Sequence, residues 1–575
     1  MNNNRTIYLG HIIKKINKNM ATKGIIYKEK NSFKNITVAC ILDNFSYDCL
    51  KFEGSFHQLG VSNWKTIIKN INPDILFVES TWQGYNQEWI NKIPNMEMSE
   101  DKTLIEITDY CKNNNIPTAF WAKEDPNDFY VFIEAAKHFE YVFTPDVNCI
   151  EKHKKILGHD NVYFLPLAAQ PKLHNPIDRD KEKIGKVAFA GSWYKKFENR
   201  KKHMNNLLKP AKKYGLVIYN RFSYLYDDQF AFPNEYKPYI RKGLNYRDIV
   251  KEYKKYDVFL NVNSDDTSPT AFSRRIFELL ACGIPTISSY NPGIINYFKD
   301  IVMISKSEED TEKHLGKLLK DKEYRDRLSL LGQRKVFNDH TYEQVFKKVL
   351  NTVGLTKDEK EDKGVSIISH VNSHYLLDNI LNNYSSQKYP KKELILIVNN
   401  KNLELISQHN MLKGHDDIKI LIIPENLTIG RCLNLGVEKS KYDYISIFDS
   451  ESFYGPNYLI DMINTFKYTE AHIAGKQTIY AYTKYNENLV LVNPNYEYRF
   501  TDNISDSTLT FRKNIFQKIK FKDNSQSYIN LFLRDSLEEG FKIYSSDRFN
   551  HMLIKDSNGE KLSQELVEKL GYIIV

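Results

Sequence analysis

Between Ser268 and Pro285 the chain reads Ser-Pro-Thr-Ala-Phe-Ser-Arg-Arg-Ile-Phe-Glu-Leu-Leu-Ala-Cys-Gly-Ile-Pro. The pattern is a loop, a helix carrying Arg274, Arg275 and Glu278, and a Gly-Ile-Pro turn into a strand. A helix start offers unpaired N–H groups and a positive dipole end, which suits a diphosphate. Arg274 or Arg275 adds a fork of donors for phosphate oxygens. Glu278 follows one turn later, where a carboxylate accepts from ribose hydroxyls. The alternative is an ordinary amphipathic helix whose Arg and Glu face water.

The elements that must hold this segment are legible around it. Short apolar runs alternate with amphipathic stretches, which argues for α/β layers with largely parallel sheets. The first third is expected to hold strands over 36–42, 75–79, 118–121, 141–144 and 162–165, with helices over 64–70 and 104–113. Residues 168–178 carry Pro171 and Pro176 and read as a connector. A second unit opens at Lys186–Ser192, with strands over 215–219, 258–261, 285–288 and 301–304. Its helices are expected over 246–253, 273–281, 308–321 and 342–353. The fully polar run Thr356–Lys363 reads as a solvated linker. The third unit opens with a strand at Val365–Ser369 and continues with strands over 394–399, 418–423 and 444–448. The expected units are residues 1–178, 179–354 and 365–575, with 355–364 as the linker.

Composition narrows the function classes. The 575 residues are 41% apolar and 27% charged, which is globular usage rather than disorder. The Lys, Asn and Ile bias reads as drift of an AT-rich genome. A net charge of +9 is mild for this length. The basic runs at 152–155 and 195–202 read as solvated faces, and no basic-aromatic stripe points to nucleic acid. The six cysteines form no CxxC pair. Neither a signal peptide nor a spanning helix is expected, so the expectation is a cytoplasmic protein with at most peripheral membrane contact.

At the level of motifs, Ser268–Pro285 resembles the nucleotide-sugar site of GT-B glycosyltransferases, in which a Glu before an Ala-x-Gly-x-Pro turn holds the donor ribose. More narrowly, residues 36–350 resemble the CgeB-like, spore-maturation family. The matching stretches are Pro73–Trp82, Phe120–Pro126, Leu165–Pro171, Phe189–Tyr194 and Phe259–Ser264. One departure stands out: the acidic residue often found eight positions before the ribose Glu is Thr270 here.

The resemblance implies roles. Glu278 binds ribose and Arg274 faces the diphosphate. Gly191 and Ser192 let the backbone approach the donor phosphates, and Asn263 and Ser264 stand at the carboxyl edge of the sheet, where α/β folds bind ligands. Glycosyl transfer also needs a base or a group that stabilises the departing diphosphate. Lys123, Glu124 and Asp125 follow the strand ending at Trp121, where a carboxylate is placed to deprotonate an acceptor hydroxyl. Their alternative use is to cap a helix near Pro126. Glu79 and Trp82 follow another strand end and are expected on the acceptor side, with a core Trp as the competing reading.

Beyond the linker, Val365–Ser369, Tyr389–Asn400, Gly430–Gly436 and Asp443–Pro456 resemble family 2 GT-A glycosyltransferases. In that family an Asp-x-Asp loop holds Mg²⁺ or Mn²⁺ against the donor. Here the loop is Asp449-Ser450-Glu451-Ser452, so Asp449 and Glu451 are the metal ligands if the site is competent. Asn399 and Asn400 replace the uridine-binding carboxylates, and the base position falls near Tyr528 and Ile529. Asp523 or Asp535 would have to substitute. The expectation is a degenerate GT-A domain kept for binding or for positioning the acceptor. His551 is read as structural.

The fold class expected overall is α/β: a GT-B fold of two Rossmann-like domains facing a cleft, plus a C-terminal GT-A-like domain. The expected function is sugar transfer from a nucleotide-diphosphate donor to a hydroxyl of a glycan or surface protein. No cofactor is expected to be required at the GT-B site. The competing readings are a bifunctional transferase and a non-catalytic carbohydrate-binding or assembly protein.

Overall fold

The computed structural model describes residues 35–225, 227–356, 363–400, 416–483, 485, 487–555, 571 and 573–575. Most of the expected linker and the N-terminal residues lie outside the described residues.

The first sheet is built from β1 (Thr37–Ile41), β2 (Ser55–Gln58), β3 (Ile75–Glu79), β4 (Thr118–Trp121), β5 (Tyr141–Thr144) and β6 (Val162–Phe164). All are parallel, in the order β2-β1-β3-β4-β5-β6. The inner strands read as continuous apolar runs because helices cover both faces. The edge strand β2 escapes a hydrophobicity reading: Ser-Phe-His-Gln is too short and too polar to show.

The second sheet repeats this architecture. It contains β7 (Gly185–Gly191), β8 (Leu216–Asn220), β9 (Ile240–Lys242), β10 (Tyr256–Asn261), β11 (Thr286–Ser289) and β12 (Met303–Ser305). Its order is β12-β11-β10-β7-β8-β9, again all parallel. The helix Arg275–Ala281 ends on Gly283, whose φ of +71° disfavours any residue with a Cβ. A Cβ there would also stand 2.7 Å from Gln333 Nε2.

The last helix of this half, Tyr342–Thr352, returns to the first sheet. Thr341 opens it with a capping box closed by Gln344. Its Phe346 ring lies 4.9 Å from Phe56, and Val345, Val349 and Leu350 join the cluster around Val38, Phe77 and Trp121. Each such side chain contributes roughly 1.5–3 kcal/mol by leaving water. By packing, this helix belongs to the first half rather than the second. The two halves are thus fastened to each other at the base of the cleft.

The third unit is a mixed sheet. Its parallel part is β13 (Val365–Val371), β14 (Lys392–Asn399), β15 (Ile418–Ile423) and β16 (Tyr444–Ile447). The chain then runs through β17 (Phe453–Tyr454), β18 (Ile473–Gly475), β19 (Ile479–Thr483), β20 (Asn488–Val492), β21 (Arg499–Thr501), β22 (Thr510–Arg512), β23 (Ile543–Ser545) and β24 (His551–Lys555). One sheet orders β15-β14-β13-β16-β22-β18-β23-β21, with β22 antiparallel to β16; a smaller one orders β17-β24-β19-β20.

This unit is bound to the second half through buried charge. The helix Lys322–Asp339 packs on the helix Tyr458–Tyr468. Arg334 donates from Nε and Nη2 to the two oxygens of Asp461, each at 2.8 Å. Arg548 Nη1 reaches Asp326 at 2.9 Å and Glu497 at 2.8 Å, and Arg179 Nη2 reaches Asp326 at 2.5 Å.

Candidate active site

The carboxyl ends of the two parallel sheets face each other across a cleft of about 300 Å³. Such an edge is where open α/β sheets take their ligands. One side of the cleft is sewn shut. Thr270 Oγ1 donates to the Pro145 carbonyl at 2.9 Å and accepts from Val147 N at 3.1 Å, and Ser268 Oγ donates to Asp146 at 2.9 Å. The position at which the wider GT-B pattern has an acidic residue is therefore a seam between the two halves.

Lys123, Glu124, Asp125, Gly191, Ser192, Asn263, Ser264 and Arg274 all line the cleft. Their surroundings separate them. Asp125 is buried and engaged: Thr144 Oγ1 donates to its Oδ2 at 2.7 Å and His153 Nε2 lies 2.8 Å from the same oxygen. The helix expected near Pro126 begins at Phe129. Lys123 donates to Asp43 at 2.8 Å and Glu79 at 3.0 Å beneath the cleft floor. Burial would lower its pKa, but Glu79 and Asp43 hold it above the usual lysine value. Glu124 is a half-buried carboxylate facing the cavity, and burial raises its pKa; Asp265, also half-buried in the lining, is engaged by Thr267 Oγ1 at 2.8 Å and Ser268 N at 2.7 Å.

Glu79 and Trp82 do not reach the cleft. Glu79 is fully buried below it, and burial pushes its carboxyl up to about 7. Trp82 stands on the surface with its ring edge-on to Phe132 at 5.3 Å. The strand-end position placed both near the site; the inward direction of Glu79 and the outward packing of Trp82 take them from it.

On the opposite wall, Arg274 is shared between the halves. Its guanidinium lies 3.6 Å from the centre of the Phe45 ring, while Lys123 Nζ lies 4.1 Å from the same centre. Arg274 Nε donates to Glu278 Oε1 at 2.9 Å. Tyr246 and Tyr253 donate their hydroxyls to the other lone pairs of Glu278, each at 3.0 Å. Glu278 is 2% exposed and lies behind Arg274, not on the cleft surface. Burial pushes its carboxyl up, yet Arg274 holds it down at about 2. Asn263 is fixed by Ser288 and Ser289 and accepts from Ser273 N at 3.3 Å. Gly191 has a direct packing reason: a Cβ there would stand 2.8 Å from the Phe189 ring.

Sequence reasoning missed Phe45 and Arg200, which also line the cleft. Arg200 falls in the run read as a solvated face. It shares one face of the helix Glu198–Ala211 with Met204, Leu207, Leu208 and Ala211, all buried. A charge in line with an apolar stripe at i, i+4, i+7, i+8 was the available signal.

Residues 181–351 match the family model described as Glycosyl transferase-like, and residues 366–540 match Glycosyl transferase family 2. This chain carries two glycosyltransferase domains. The cleft lies in a GT-B unit, and a GT-A domain follows it. No curated protein matches the chain. Among solved structures, S. aureus TarS residues 1–349 align at 13% identity over 33% of this chain and 60% of that one, with a TM-score of 0.28. Another S. aureus TarS structure aligns at 14% identity over 34% and 37%, with a TM-score of 0.27. The chain spans less than two thirds of either.

The GT-A domain keeps its strand-and-loop frame around Asp449, which follows β16. Ser452 Oγ donates to Asp449 Oδ2 at 2.6 Å, while Glu451 is exposed. Among the described residues no three His, Cys, Asp or Glu side chains are grouped to hold a metal. A hard divalent cation takes six or more oxygen ligands, several of them carboxylate in a tight site. Two carboxylates, one engaged by a serine, do not make a preformed Mg²⁺ or Mn²⁺ site. Tyr528 opens the helix Tyr528–Glu538 at the expected base position, and burial raises its phenol to about 12. Asp535 is paired with Lys522 at 2.9 Å, and Asp523 accepts from Thr428. His551 is fully buried beside Tyr454 at 5.2 Å, and burial lowers it to about 3.

Proposed function

We propose that the GT-B unit transfers a sugar from a nucleotide-diphosphate donor to a hydroxyl of a glycan or surface protein. The observation that carries this reading is the cleft itself: Glu124 on one wall opposes the guanidinium groups of Arg200, Arg274 and Arg275 on the other. In this reading the acceptor oxygen bonds to the sugar carbon as the bond from that carbon to the diphosphate breaks. Glu124 takes the hydroxyl proton, and the guanidinium groups take the charge that develops on the leaving diphosphate. That charge stabilisation needs no metal. Lys123 and Asp125 position the loop that carries Glu124. Glu278 meets ribose once Arg274 turns from it toward phosphate.

The GT-A domain is proposed as a binding or acceptor-positioning module. The support is the engaged Asp449 and the phenol of Tyr528 at the base position. The wider CgeB-like resemblance and a cytoplasmic setting belong to the same reading; among the described residues no helix is long and apolar enough to cross a membrane.

The test is release of nucleoside diphosphate from a panel of nucleotide sugars, by the wild type, Glu124→Gln and Asp449→Ala. Loss in Glu124→Gln with retention in Asp449→Ala is expected. The reverse pattern moves the chemistry to the GT-A domain.

A further inference from the structure

The chain crosses between the two halves twice, from β6 to β7 and from the helix Lys322–Asp339 to the helix Tyr342–Thr352. The two crossings touch each other: Ala169 N donates to the His340 carbonyl, and the Ala169 carbonyl accepts from Tyr342 N, each at 3.0 Å. A change in the angle between the halves turns on these segments. The GT-A domain grips both of them on the side of the second half. The Tyr498 carbonyl accepts from Asp178 N at 2.7 Å, and its ring centre lies 4.7 Å from the Arg179 guanidinium. Arg179 is buried and carries the contact onward, since Nη1 donates to the Gly283 carbonyl at 3.1 Å, just past the helix Arg275–Ala281. On the second crossing, Lys467 Nζ donates to the Phe337 carbonyl at 2.8 Å and Asn464 Nδ2 to Asn338 Oδ1 at 3.0 Å. Tyr468 and Tyr544 join the apolar cluster of Ala169, Phe277, Leu280 and Phe337.

Tyr498 and Asp178 both sit in the left-handed region, at φ of +56° and +58°. Asp tolerates that backbone, but for a bulky aromatic residue it is an outlier that persists only where the surroundings over-determine it. Here the surroundings are the Asp178 N–H, the Arg179 guanidinium and Gln333, whose Nε2 donates to the Tyr498 hydroxyl at 3.3 Å. The Arg334–Asp461 and Arg548–Asp326 pairs already anchor the domain to the second half. The strained residue is placed instead on the crossing itself.

We infer that the GT-A domain sets the angle between the two halves of the GT-B unit, with Tyr498 and Lys467 as its positioning residues. This goes beyond the binding role proposed for that domain, and only its kinetic consequence rests on the transferase reading. With Asp178 and Asn338 held, bending is confined to residues 170–177 and 339–340. The angle matters to the chemistry because Glu124 belongs to the first half and the cleft arginines to the second.

The test is the distance between spin labels on the full chain, at Lys69→Cys in the first half and Lys313→Cys in the second, read by pulsed electron paramagnetic resonance. Both positions are exposed and the six native cysteines are buried, so the labels go where they are placed. The label pair is put into the wild type, Tyr498→Phe, Tyr498→Gly and Lys467→Met, each measured well below its Tm. Tyr498→Phe keeps the ring and is expected to match the wild type. Tyr498→Gly accepts the same φ without a ring over Arg179, and Lys467→Met keeps the apolar stem without the donor. Both are expected to shift toward longer and broader distances. In turnover, kcat is expected to fall about ten- to a hundred-fold in both while the donor KM stays within about three-fold, because Glu124 is displaced and the second half is intact. Circular dichroism checks each fold, and Lys467→Met carries the test where Tyr498→Gly fails to fold. A variant that is merely less stable has a lower Tm and wild-type distances. Wild-type distances in both variants overturn the inference, and so do shifted distances with an unmoved kcat. A residue whose variant alone keeps the wild-type distances is struck from the assignment. Shifted distances in a chain that turns over no nucleotide sugar leave the grip standing and remove the transferase reading.

Discussion

Arg274 Nε lies 2.9 Å from Glu278 Oε1, and this one pair joins the cleft surface to the polar core behind it. Both groups are shielded, and the pair is completed by the Tyr246 and Tyr253 hydroxyls. Removing one partner leaves the other as an uncompensated buried charge, which is worth about 3–5 kcal/mol. Glu278→Ala is therefore expected to lose about that much stability in urea unfolding at pH 7. The acid side follows from the same pair. The Glu278 carboxyl, ordinarily near 4.5, sits at about 2 in the folded chain. Its contribution is fully present above about pH 4.5 and is lost as pH falls toward 2, amounting to about 3 kcal/mol. A wild-type and Glu278→Ala difference that stays constant from pH 6 to pH 3 would remove this assignment.

Glu79 has the opposite sign. Burial raises its carboxyl from 4.5 to about 7, although Lys123 Nζ is 3.0 Å away. Between those values the folded chain holds a proton that the unfolded chain releases, so stability falls as pH rises from about 4.5 to 7. Glu79→Gln stays neutral throughout and still offers Lys123 an oxygen. It is expected to gain on the wild type by about 1–3 kcal/mol between pH 5 and pH 8. The measurement is urea unfolding of both proteins at the two pH values. A gap that narrows with rising pH contradicts the assignment.

The GT-A domain is held to the second half by Arg334 and Asp461, alongside Arg548 and Asp326. Asn550 Nδ2 also donates to Asp461, at 2.9 Å. In Arg334→Met the carboxylate loses its paired cation and keeps the Asn550 hydrogen bond and the more distant charge of Lys476, while burial already raises its pKa. The expected result is a calorimetric trace with a separate transition several degrees below the wild-type Tm, as the domain unfolds from its neighbour. A single transition at the wild-type temperature would show that the apolar contacts of the two helices suffice.

Much of this was readable in advance because the parallel strands are buried on both faces. Ile75–Glu79, Thr118–Trp121 and Tyr141–Thr144 announce themselves as apolar runs, and the structure places strands on those same residues. The short edge strand β9, Ile-Arg-Lys, carries no such run and was invisible. The site was legible as positions but not as directions. A strand end says that Glu79, Trp82 and Glu124 lie near a sheet edge. Whether a side chain turns into the cleft, under its floor or out to water depends on neighbours far along the chain, such as Asp43 for Lys123 and Phe132 for Trp82. Glu278 shows the same limit: its spacing to Gly283 marks the motif, but its burial behind Arg274 depends on Tyr246, Tyr253 and Phe45. Arg200 was hidden in a run of lysines, since charge counts do not distinguish a solvated face from a buried position on the helix.

Glu124 gives the proposed chemistry its own pH signature. Its carboxyl is raised by burial, and nearby Asp128 and Asp43 oppose the help it receives from Lys123. A general base must be ionised to act, so kcat/KM is expected to fall on the acid side with a limb above the ordinary carboxylate range. Glu124→Gln is expected to lose about 10²–10⁴ in kcat and to lose that limb, while the donor KM moves by no more than about three-fold. A merely structural carboxylate would move KM and stability together and leave the shape of the profile unchanged. The profile therefore decides between the roles: an acid limb that persists in Glu124→Gln belongs to another group and displaces Glu124 as the base.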